Sequence, residues 1–254
     1  MRTERDRTRR VLSQTFLHDP AALDRVVQAA RPAHTDLVLE VGAGDGRLTR
    51  VLAEAAGRVV AYEVDPALAT RLAVPGNVVV RQQDFLTARP PREPFAVVGN
   101  IPYALTAPIV QWCLRAPALT SATLVTQLEY ARKRTGDYGR WSRLTVATWP
   151  EYQWDLAGRL SRHAFRPVPR VDSGILRLRR RPEPLVPGRW MATYRSFVEL
   201  GFGGVGGSLH ASLRQRHPGR RVDAAFRAAR LDTSTVVGHV WPEQWLLLFR
   251  LLHA

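Results

Sequence analysis

The feature that most constrains the fold is a glycine-rich turn joining an apolar run to a helical stretch. The apolar run covers residues 37–41, glycines follow at positions 42, 44 and 46, and helical periodicity continues to about residue 56. Glycine lets the backbone approach a ligand closely and adopt a positive φ. An apolar run that ends in such a turn and leads into a helix is typical of a buried parallel strand. The sequence therefore predicts an α/β fold with a Rossmann-like sheet.

Acidic residues follow the next predicted strands. The second strand, residues 58–63, ends in Glu63, and the third ends near Asp84. An acid at the end of the second strand is placed to accept ribose hydroxyls, and the next acid suits an adenine amino group. Each acid taken singly is equally compatible with a solvated loop. The glycine turn reads E-x-G-x-G-x-G, with Arg47 where the dinucleotide fingerprint requires glycine. Together these residues favour S-adenosylmethionine as the ligand.

A second motif, residues 100–103 (Asn-Ile-Pro-Tyr), follows the apolar run 95–99. Ligands of open α/β sheets lie outside the carboxyl ends of the strands. Asn100 offers an acceptor and a donor for the edge of a planar amine such as a nucleobase, and Tyr103 offers a face for stacking. Pro102 fixes their separation. Taken alone, residues 100–103 are also compatible with an ordinary turn after a strand. Beside a methyl-donor site, they predict methyl transfer to a base nitrogen.

Two further segments complete a family resemblance. Residues 13–17 read Ser-Gln-Thr-Phe-Leu, and residues 165–173 follow the pattern F-x-P-x-P-x-V-x-S. With these motifs the chain resembles the rRNA adenine N6-methyltransferases, the family of the erythromycin-resistance (Erm) methylases and the small-subunit dimethyladenosine methylases. The resemblance implies a class I S-adenosylmethionine-dependent methyltransferase sheet. Thr15 stands where the family usually has Asn, which leaves one polar contact to the methionine end of the cofactor open.

The resemblance also implies a set of site residues. Catalysis is expected to rest on Asn100, Ile101, Tyr103 and Phe165, with Phe165 flanking the extruded adenine opposite Tyr103. S-adenosylmethionine is the implied cofactor, and its expected contacts lie in the N-terminal segment and at the strand ends: Gln14, Phe16, Leu17, Gly42, Gly44, Glu63, Val64, Asp84, Phe85 and Asn100.

The charge balance favours an anionic partner. The chain has 37 basic and 22 acidic residues, for a net charge of +15. The arginine excess is also compatible with a GC-rich genome or with a generic basic surface. Together with a base-methylating site, the positive charge favours RNA as the partner. The expected RNA contacts are Arg132, Lys133, Arg134, Arg140 and Arg143, in a glycine- and aromatic-containing segment that suits unpaired bases. Alternatively, Trp141 in this segment packs into the core.

Proline-rich residues 182–188 mark a domain boundary. The predicted division is a basic arm at 1–12, a methyltransferase domain at 13–181, a linker at 182–188 and a small helical RNA-binding domain at 189–254. The arm is equally compatible with a solvated tail. The charged N-terminus, the lack of an apolar run near ~18 residues and the single cysteine, Cys113, predict a cytoplasmic protein without disulfides. Scattered histidines predict no metal site, and a monomer is expected.

The C-terminal region looks more like the Erm branch of the family, because it lacks the R-K-x-L-type segment of the small-subunit branch. By resemblance, the substrate is one adenine in the peptidyl-transferase loop of naked or partly assembled 23S rRNA. Its methylation would confer resistance to macrolides, lincosamides and type B streptogramins. Two alternatives stay open: a 16S rRNA adenine dimethyltransferase, and a non-catalytic rRNA-binding assembly factor on the same fold.

Overall fold

The computed structural model describes residues 15–204 and 208–253. Their contacts form two compact units. The described residues of the first unit are 15–131 and 155–179, and those of the second are 132–154, 180–204 and 208–253. The predicted basic arm and Gln14 lie outside the described residues.

The strands of the described residues are β1 Phe16–Leu17, β2 Leu37–Val41, β3 Arg58–Glu63, β4 Val78–Gln82, β5 Phe95–Asn100, β6 Leu119–Gln127, β7 Tyr152–Leu160, β8 Phe165–Arg166 and β9 Ser173–Arg180. Seven of them form a mixed sheet with the order β4-β3-β2-β5-β6-β9-β7. Its five strands from β4 to β6 are parallel, and β9 runs antiparallel to β6. A separate antiparallel pair, β1 and β8, lies outside this sheet. The predicted α/β fold with a Rossmann-like sheet is confirmed.

Four helices accompany the parallel strands: α1 Pro20–Ala30, α2 Arg47–Ala55, α3 Pro66–Ala69 and α4 Thr106–Arg115. The starts of α1 and α3 are set by an aspartate followed by proline at the first helical position. The Asp19 carboxylate accepts a hydrogen bond from the Ala21 N–H at 3.1 Å. Strand β2 is buried along its whole length, which explains why all of its residues except Glu40 are apolar.

Helix α5, Leu128–Thr135, leads from β6 towards the second unit. The second unit contains α6 Arg143–Thr148, α7 Met191–Phe202, α8 Leu209–Leu213, α9 Gly219–Ala228 and α10 Pro242–His253. Its core is strongly aromatic, with Tyr194, Phe197 and Trp245 all buried. Among the described residues, no helix combines the length and apolar character that crossing a membrane requires.

Residues 132–154 join the C-terminal helices because Trp141 and Val146 are buried in the same core as Tyr194 and Trp245. Trp141 was expected either to contact unpaired bases or to pack into the core, and the structure shows it packed into the core. Its backbone N–H donates to the Gly238 carbonyl at 2.7 Å. The sequence analysis placed residues 132–154 in the methyltransferase domain, whereas their contacts group them with the helical unit. The assignment of RNA binding to residues 189–254 stays a prediction.

Candidate active site

A cavity of about 240 Å³ opens at the carboxyl ends of β2, β3 and β5. Its wall contains residues from the N-terminal segment, from the glycine turn, from the ends of β3 and β4, and from the motif after β5: residues 15–17, 40–45, 62–64, 83–86, 100–102 and 104–105. The two motifs singled out in the sequence therefore share one cavity. A methyl donor and an acceptor base can meet there.

The glycine turn needs glycine for two reasons. Gly42, Gly44 and Gly46 have φ angles of 74°, 58° and 77°, in the left-handed region that other residues rarely adopt. In addition, a Cβ atom on Gly44 would lie 2.9 Å from the Phe16 ring. The turn is held against β3 because the Gly42 N–H donates to the Tyr62 carbonyl at 2.9 Å. The glycine turn therefore presents backbone without side chains at its glycine positions on one side of the cavity.

Glu63 connects the glycine turn to the end of β3. One carboxylate oxygen accepts from the Gly44 N–H at 2.8 Å, and the other accepts from the Asp65 N–H at 2.9 Å. The side chain is buried yet lines the cavity. Each carboxylate oxygen can accept a second hydrogen bond. Glu63 is therefore fixed in an orientation that can bind a pair of hydroxyls.

Asp84, Phe85 and Val64 form the neighbouring wall of the cavity. One Asp84 oxygen accepts from the Leu86 N–H at 2.9 Å, which fixes the carboxylate after β4. The Phe85 ring is buried and packs edge-on against Tyr62, with ring centres 5.4 Å apart. Val64 is half exposed. An apolar wall beside a fixed carboxylate suits a purine ring with an amino group.

Asn100 ends β5 and is oriented by the N-terminal segment. Its amide Nδ2 donates to the Thr15 carbonyl at 2.7 Å. The amide oxygen is thereby left for a ligand in the cavity. Because the contact comes from the backbone of Thr15, replacing the family's usual Asn by Thr leaves it intact. Ile101, the next residue, is buried and also lines the cavity.

Tyr103 is not among the residues that line the cavity, although its sequence neighbours Pro102 and Ala104 are. It begins a short 3₁₀ turn, Tyr103–Leu105. Its hydroxyl shares a hydrogen bond of 2.8 Å with the Ser173 hydroxyl, at the fully buried start of β9. Burial raises the pKa of Tyr103, and the Ser173 hydrogen bond opposes that rise. The phenol therefore stays neutral near pH 7, and its ring is held in one position.

The structure does not bring Phe165 to the cavity. Phe165 is fully buried, and in the β1–β8 pair it lies directly opposite Leu17. Opposed residues share one face of a two-stranded ribbon, and here that face joins the hydrophobic core. The stacking role expected for Phe165 stays a prediction, and this conformation does not support it.

Glu40 is a site residue that the sequence analysis did not assign. It is buried in the wall of the cavity, and neither carboxylate oxygen has a hydrogen-bond partner within the described chain. Burial raises the pKa of Glu40 to about 7, the nearby Thr49 hydroxyl opposes the rise, and the charges of Glu63 and Asp45 add to it. A buried carboxylate without a partner favours a cationic ligand group. Its position inside the E-x-G-x-G pattern was the available signal.

We expect Glu40 to make stability depend on pH. A carboxyl whose pKa is higher in the folded chain binds its proton more tightly when folded. Its contribution is therefore complete below the ordinary pKa of 4.5 and is lost as the pH rises to about 7. Without cofactor, Glu40→Gln is expected to raise the free energy of unfolding by up to about 3 kcal/mol at high pH and to change it little at low pH.

Urea unfolding near pH 5 and near pH 8.5 checks this expectation. Glu54→Gln, an exposed carboxyl on α2, is the control and should show no such pH dependence. An equal effect of Glu40→Gln at both pH values would show that Glu40 does not titrate in this range.

The residues expected to contact RNA already have partners in most cases. Arg132 pairs with Asp137 and lies over the Tyr138 ring at 4.0 Å, while Arg143 pairs with Glu199 at 2.9 Å. Arg134 donates to the Ser142 hydroxyl at 2.8 Å, Arg140 donates to His239 at 3.1 Å, and Lys133 is exposed. The Arg143–Glu199 pair is exposed, and an exposed ion pair is weak enough for a phosphate to replace it. The role of these residues in RNA binding stays a prediction.

The sheet order and the cavity at the strand ends define a class I methyltransferase fold. No cluster of three or more His, Cys, Asp or Glu side chains in the described parts of the chain could hold a metal ion.

Comparisons with known proteins agree with this class. The family model "Ribosomal RNA adenine dimethylase" matches residues 5–254. An rRNA adenine N-6-methyltransferase of Streptomyces fradiae is 61% identical over 252 residues, covering 97% of this chain and 79% of that protein. The mycinamicin-resistance protein MyrB of Micromonospora griseorubida is 37% identical, covering 96% of this chain and 78% of that protein. The crystal structure of the 23S rRNA methyltransferase ErmE superposes with a TM-score of 0.91 at 52% identity, covering 94% of this chain and all of that one.

The chain belongs to the ribosomal RNA adenine dimethylase family. It is an rRNA adenine N6-methyltransferase of the Erm type, as its motifs indicated, and its family and fold imply the use of S-adenosylmethionine. The expectation of a non-catalytic factor on the same fold is set aside by these findings.

Proposed function

We propose that this enzyme methylates N6 of a single adenine in the peptidyl-transferase loop of 23S rRNA, and that the modification confers resistance to macrolides, lincosamides and type B streptogramins. Acting as a monomer, it takes naked or partly assembled rRNA as substrate. The observation that carries the proposal is the shared cavity, because Asn100 and Glu63 both line it.

The residues of the cavity fit S-adenosylmethionine. The two Glu63 oxygens, each holding one backbone N–H, would accept the ribose hydroxyls. Asp84 would accept from the adenine amino group, between Val64 and Phe85. The unpartnered Glu40 carboxylate would favour the positively charged methionine end. When bound, the cofactor supplies a methyl group on a sulfonium, which is already activated towards a nucleophile.

The target nitrogen is a weak nucleophile because its lone pair is delocalised into the adenine ring. The Asn100 amide oxygen and the Ile101 carbonyl would accept hydrogen bonds from its two N–H groups as positive charge develops on the nitrogen. Asn100 can do this because its amide nitrogen already donates to the Thr15 carbonyl, which leaves the amide oxygen free to accept from a ligand. No general base is needed, since the methylated nitrogen is strongly acidic and loses its proton to water. Orientation supplies most of the rate.

The adenine must leave its stack to enter the cavity, at a cost of a few kcal/mol. Tyr103 would offset part of this cost by stacking on the base, at roughly 1–3 kcal/mol for one aromatic contact. The Ser173 hydrogen bond fixes the ring that the base meets. This stacking role of Tyr103 is part of the proposal.

We expect Tyr103→Ala to lower the single-turnover methylation rate at least about tenfold while keeping cofactor binding, because the stacking face is lost. Tyr103→Phe keeps the ring and loses only the bond to Ser173, which is worth about 1 kcal/mol, so a smaller loss is expected. Rapid-quench assays under single-turnover conditions, with calorimetry for the cofactor, provide the measurement. An unchanged rate for Tyr103→Ala would exclude the stacking role.

The choice of 23S rRNA is supported by the relatives. The solved structure of the 23S rRNA methyltransferase ErmE is 52% identical to this chain, with a TM-score of 0.91, and MyrB is named as a resistance protein. The 16S alternative has no comparable support, because the solved dimethyladenosine transferase of Plasmodium falciparum is 22% identical and shows the fold alone.

The test uses purified enzyme and S-adenosylmethionine with three substrates: naked 23S rRNA, naked 16S rRNA and assembled large subunits. Mass mapping of the digested RNA is expected to find the methyl group on one adenine of the peptidyl-transferase loop of naked 23S rRNA. Expression of the same gene in a sensitive bacterium should raise the inhibitory concentration of a macrolide. Methylation of an adenine pair in 16S rRNA alone would overturn the proposal.

A further inference from the structure

Trp241 lies half exposed on the second unit, directly before helix α10. It is 55% exposed, although tryptophan is highly buried on average. Its backbone N–H donates to the Gln244 side chain at 3.0 Å, which fixes the backbone at the start of the helix. Its ring packs against the buried Trp141, with ring centres 5.4 Å apart. An exposed ring that is held in this way loses little freedom when it binds a partner.

Two segments that are distant in sequence form the surface around Trp241. The Trp141 N–H donates to the Gly238 carbonyl at 2.7 Å, and Arg140 Nε donates to His239 Nε2 at 3.1 Å. Arg140 and His239 are both exposed. These contacts bring a cationic side chain and an exposed aromatic ring to one surface of the second unit. We call Arg140, His239 and Trp241 the aromatic-cationic surface.

The charge around this surface is strongly positive. Residues 132–143 contain five basic side chains and one acid, Asp137. The second unit as a whole has 16 basic residues against 7 acidic ones. The bond from Arg140 to His239 uses the Nε–H, and a guanidinium has four further N–H donors that suit a phosphate. The surface is therefore suited to an anionic partner.

An aromatic ring beside an arginine fits an unpaired nucleotide. The base stacks on the ring and the guanidinium binds the phosphate, so one nucleotide satisfies both groups. A base inside a duplex does not offer its face in this way, and the core of a protein–protein interface is depleted of charged residues. Trp241 is not among the residues that line the cavity, so the base that fits here is not the target adenine.

We propose that Trp241 stacks on an unpaired base of the rRNA other than the target adenine, and that Arg140 binds a phosphate beside that base. His239 holds the guanidinium in place through the bond to its Nε. The contact selects RNA that presents a second unpaired nucleotide at a set distance from the target. It rests on the proposed function, since it requires rRNA as the substrate.

The test measures equilibrium binding of a naked 23S rRNA fragment that contains the peptidyl-transferase loop, by filter binding at several salt concentrations. Trp241→Leu keeps an apolar side chain against Trp141 but has no aromatic face, and it is expected to weaken binding at least about fivefold. The slope of log affinity against log salt should stay as in the wild type, because stacking releases no counterion. Trp241→Phe keeps a stacking face and should bind within about twofold of the wild type.

Arg140→Gln tests the phosphate contact separately. It is expected to weaken binding and to reduce the salt slope by about one, as the loss of one phosphate contact does. A fully paired RNA duplex of the same length is the second ligand, and on it Trp241→Leu should match the wild type.

Trp190→Ala is the matched control, because Trp190 is 39% exposed in the same unit but lies in a different segment, before helix α7. It should bind both RNAs as the wild type does. Urea unfolding verifies the fold of each variant.

Equal binding of the rRNA fragment by Trp241→Leu and the wild type would overturn the stacking role. An equal loss on the duplex, or the same loss for Trp190→Ala, would overturn it as well, because an unpaired base at Trp241 would then not be the group recognised. A wild-type dimer in sedimentation that Trp241→Leu converts to monomers would assign the surface to a second copy of the chain and overturn the RNA contact. These outcomes leave the proposed function intact, which fails only if the wild-type enzyme does not methylate the peptidyl-transferase loop of 23S rRNA.

Discussion

Replacing Asn100 by alanine is expected to lower the single-turnover rate of adenine methylation by about 10²–10³-fold, the usual effect of removing one hydrogen-bonding group that acts on the transition state. The amide oxygen would be lost as an acceptor for the amine proton, at the stage where positive charge grows on the nitrogen. The Thr15 carbonyl would also lose its donor, which now lies at 2.7 Å. Rapid-quench methylation of 23S rRNA, with calorimetry for the cofactor, measures both effects.

Asn77→Ala is the matched control for this variant. Asn77 belongs to the same unit, and its amide donates to the Ala53 and Ala56 carbonyls at 2.8 and 3.1 Å. Its loss should reduce stability and leave the methylation rate per folded molecule unchanged. Asn100→Asp keeps an acceptor but places a carboxylate oxygen against the Thr15 carbonyl, so we expect an intermediate rate. A rate for Asn100→Ala close to that of the wild type would remove Asn100 from the mechanism.

The second large effect is expected for Glu63→Ala, which should weaken cofactor binding by about 100-fold or more. Two hydrogen bonds from ribose hydroxyls to a carboxylate would be lost, each worth roughly 1.5–3 kcal/mol. About 1.4 kcal/mol corresponds to a tenfold change in affinity. The Gly44 and Asp65 N–H groups would also lose their acceptor, which loosens the glycine turn. Calorimetric titration with S-adenosylhomocysteine provides the measurement.

Glu93→Ala is the control for charge and stability. Glu93 is exposed and pairs with Arg58, which begins the same strand that Glu63 ends. Because this pair lies at the opposite end of β3 from the cavity, its loss should leave the affinity unchanged. Equal affinity for the wild type and Glu63→Ala would contradict the assignment of the ribose site.

Much of the cavity could be predicted because its parts are local in sequence. The glycine turn, the acid after β3 and the motif after β5 each follow a buried strand, and parallel strands place their carboxyl ends at one edge of a sheet. The sequence therefore indicated that Gly44, Glu63 and Asn100 lie close together. Their sharing of one cavity confirms that the fold follows the predicted pattern.

The contacts that orient these groups could not be predicted from local pattern. Asn100 is oriented by Thr15 and Tyr103 by Ser173, over sequence separations of 85 and 70 residues. Such pairs depend on how distant segments pack, and no spacing rule specifies them. The same reason applies to Phe165, whose register opposite Leu17 and burial in the core depend on the pairing of two segments far apart in sequence.

The role of Glu40 could not be predicted from the sequence for a different reason. An acid inside an apolar run is compatible with an edge strand or with a functional site, and only the burial of the whole of β2 distinguishes them. Similarly, residues 132–154 contain helix α6 and two buried aromatic or apolar side chains that belong to the C-terminal core. A domain boundary drawn from prolines alone does not detect a segment that returns to a distant core.

A crystal structure with S-adenosylhomocysteine bound tests the central claim most directly. The account predicts that the ribose hydroxyls contact both Glu63 oxygens, that the adenine amino group contacts Asp84, and that the sulfur faces the Asn100 amide oxygen across the cavity. A cofactor bound away from the glycine turn, or with its sulfur turned from Asn100, would contradict the account.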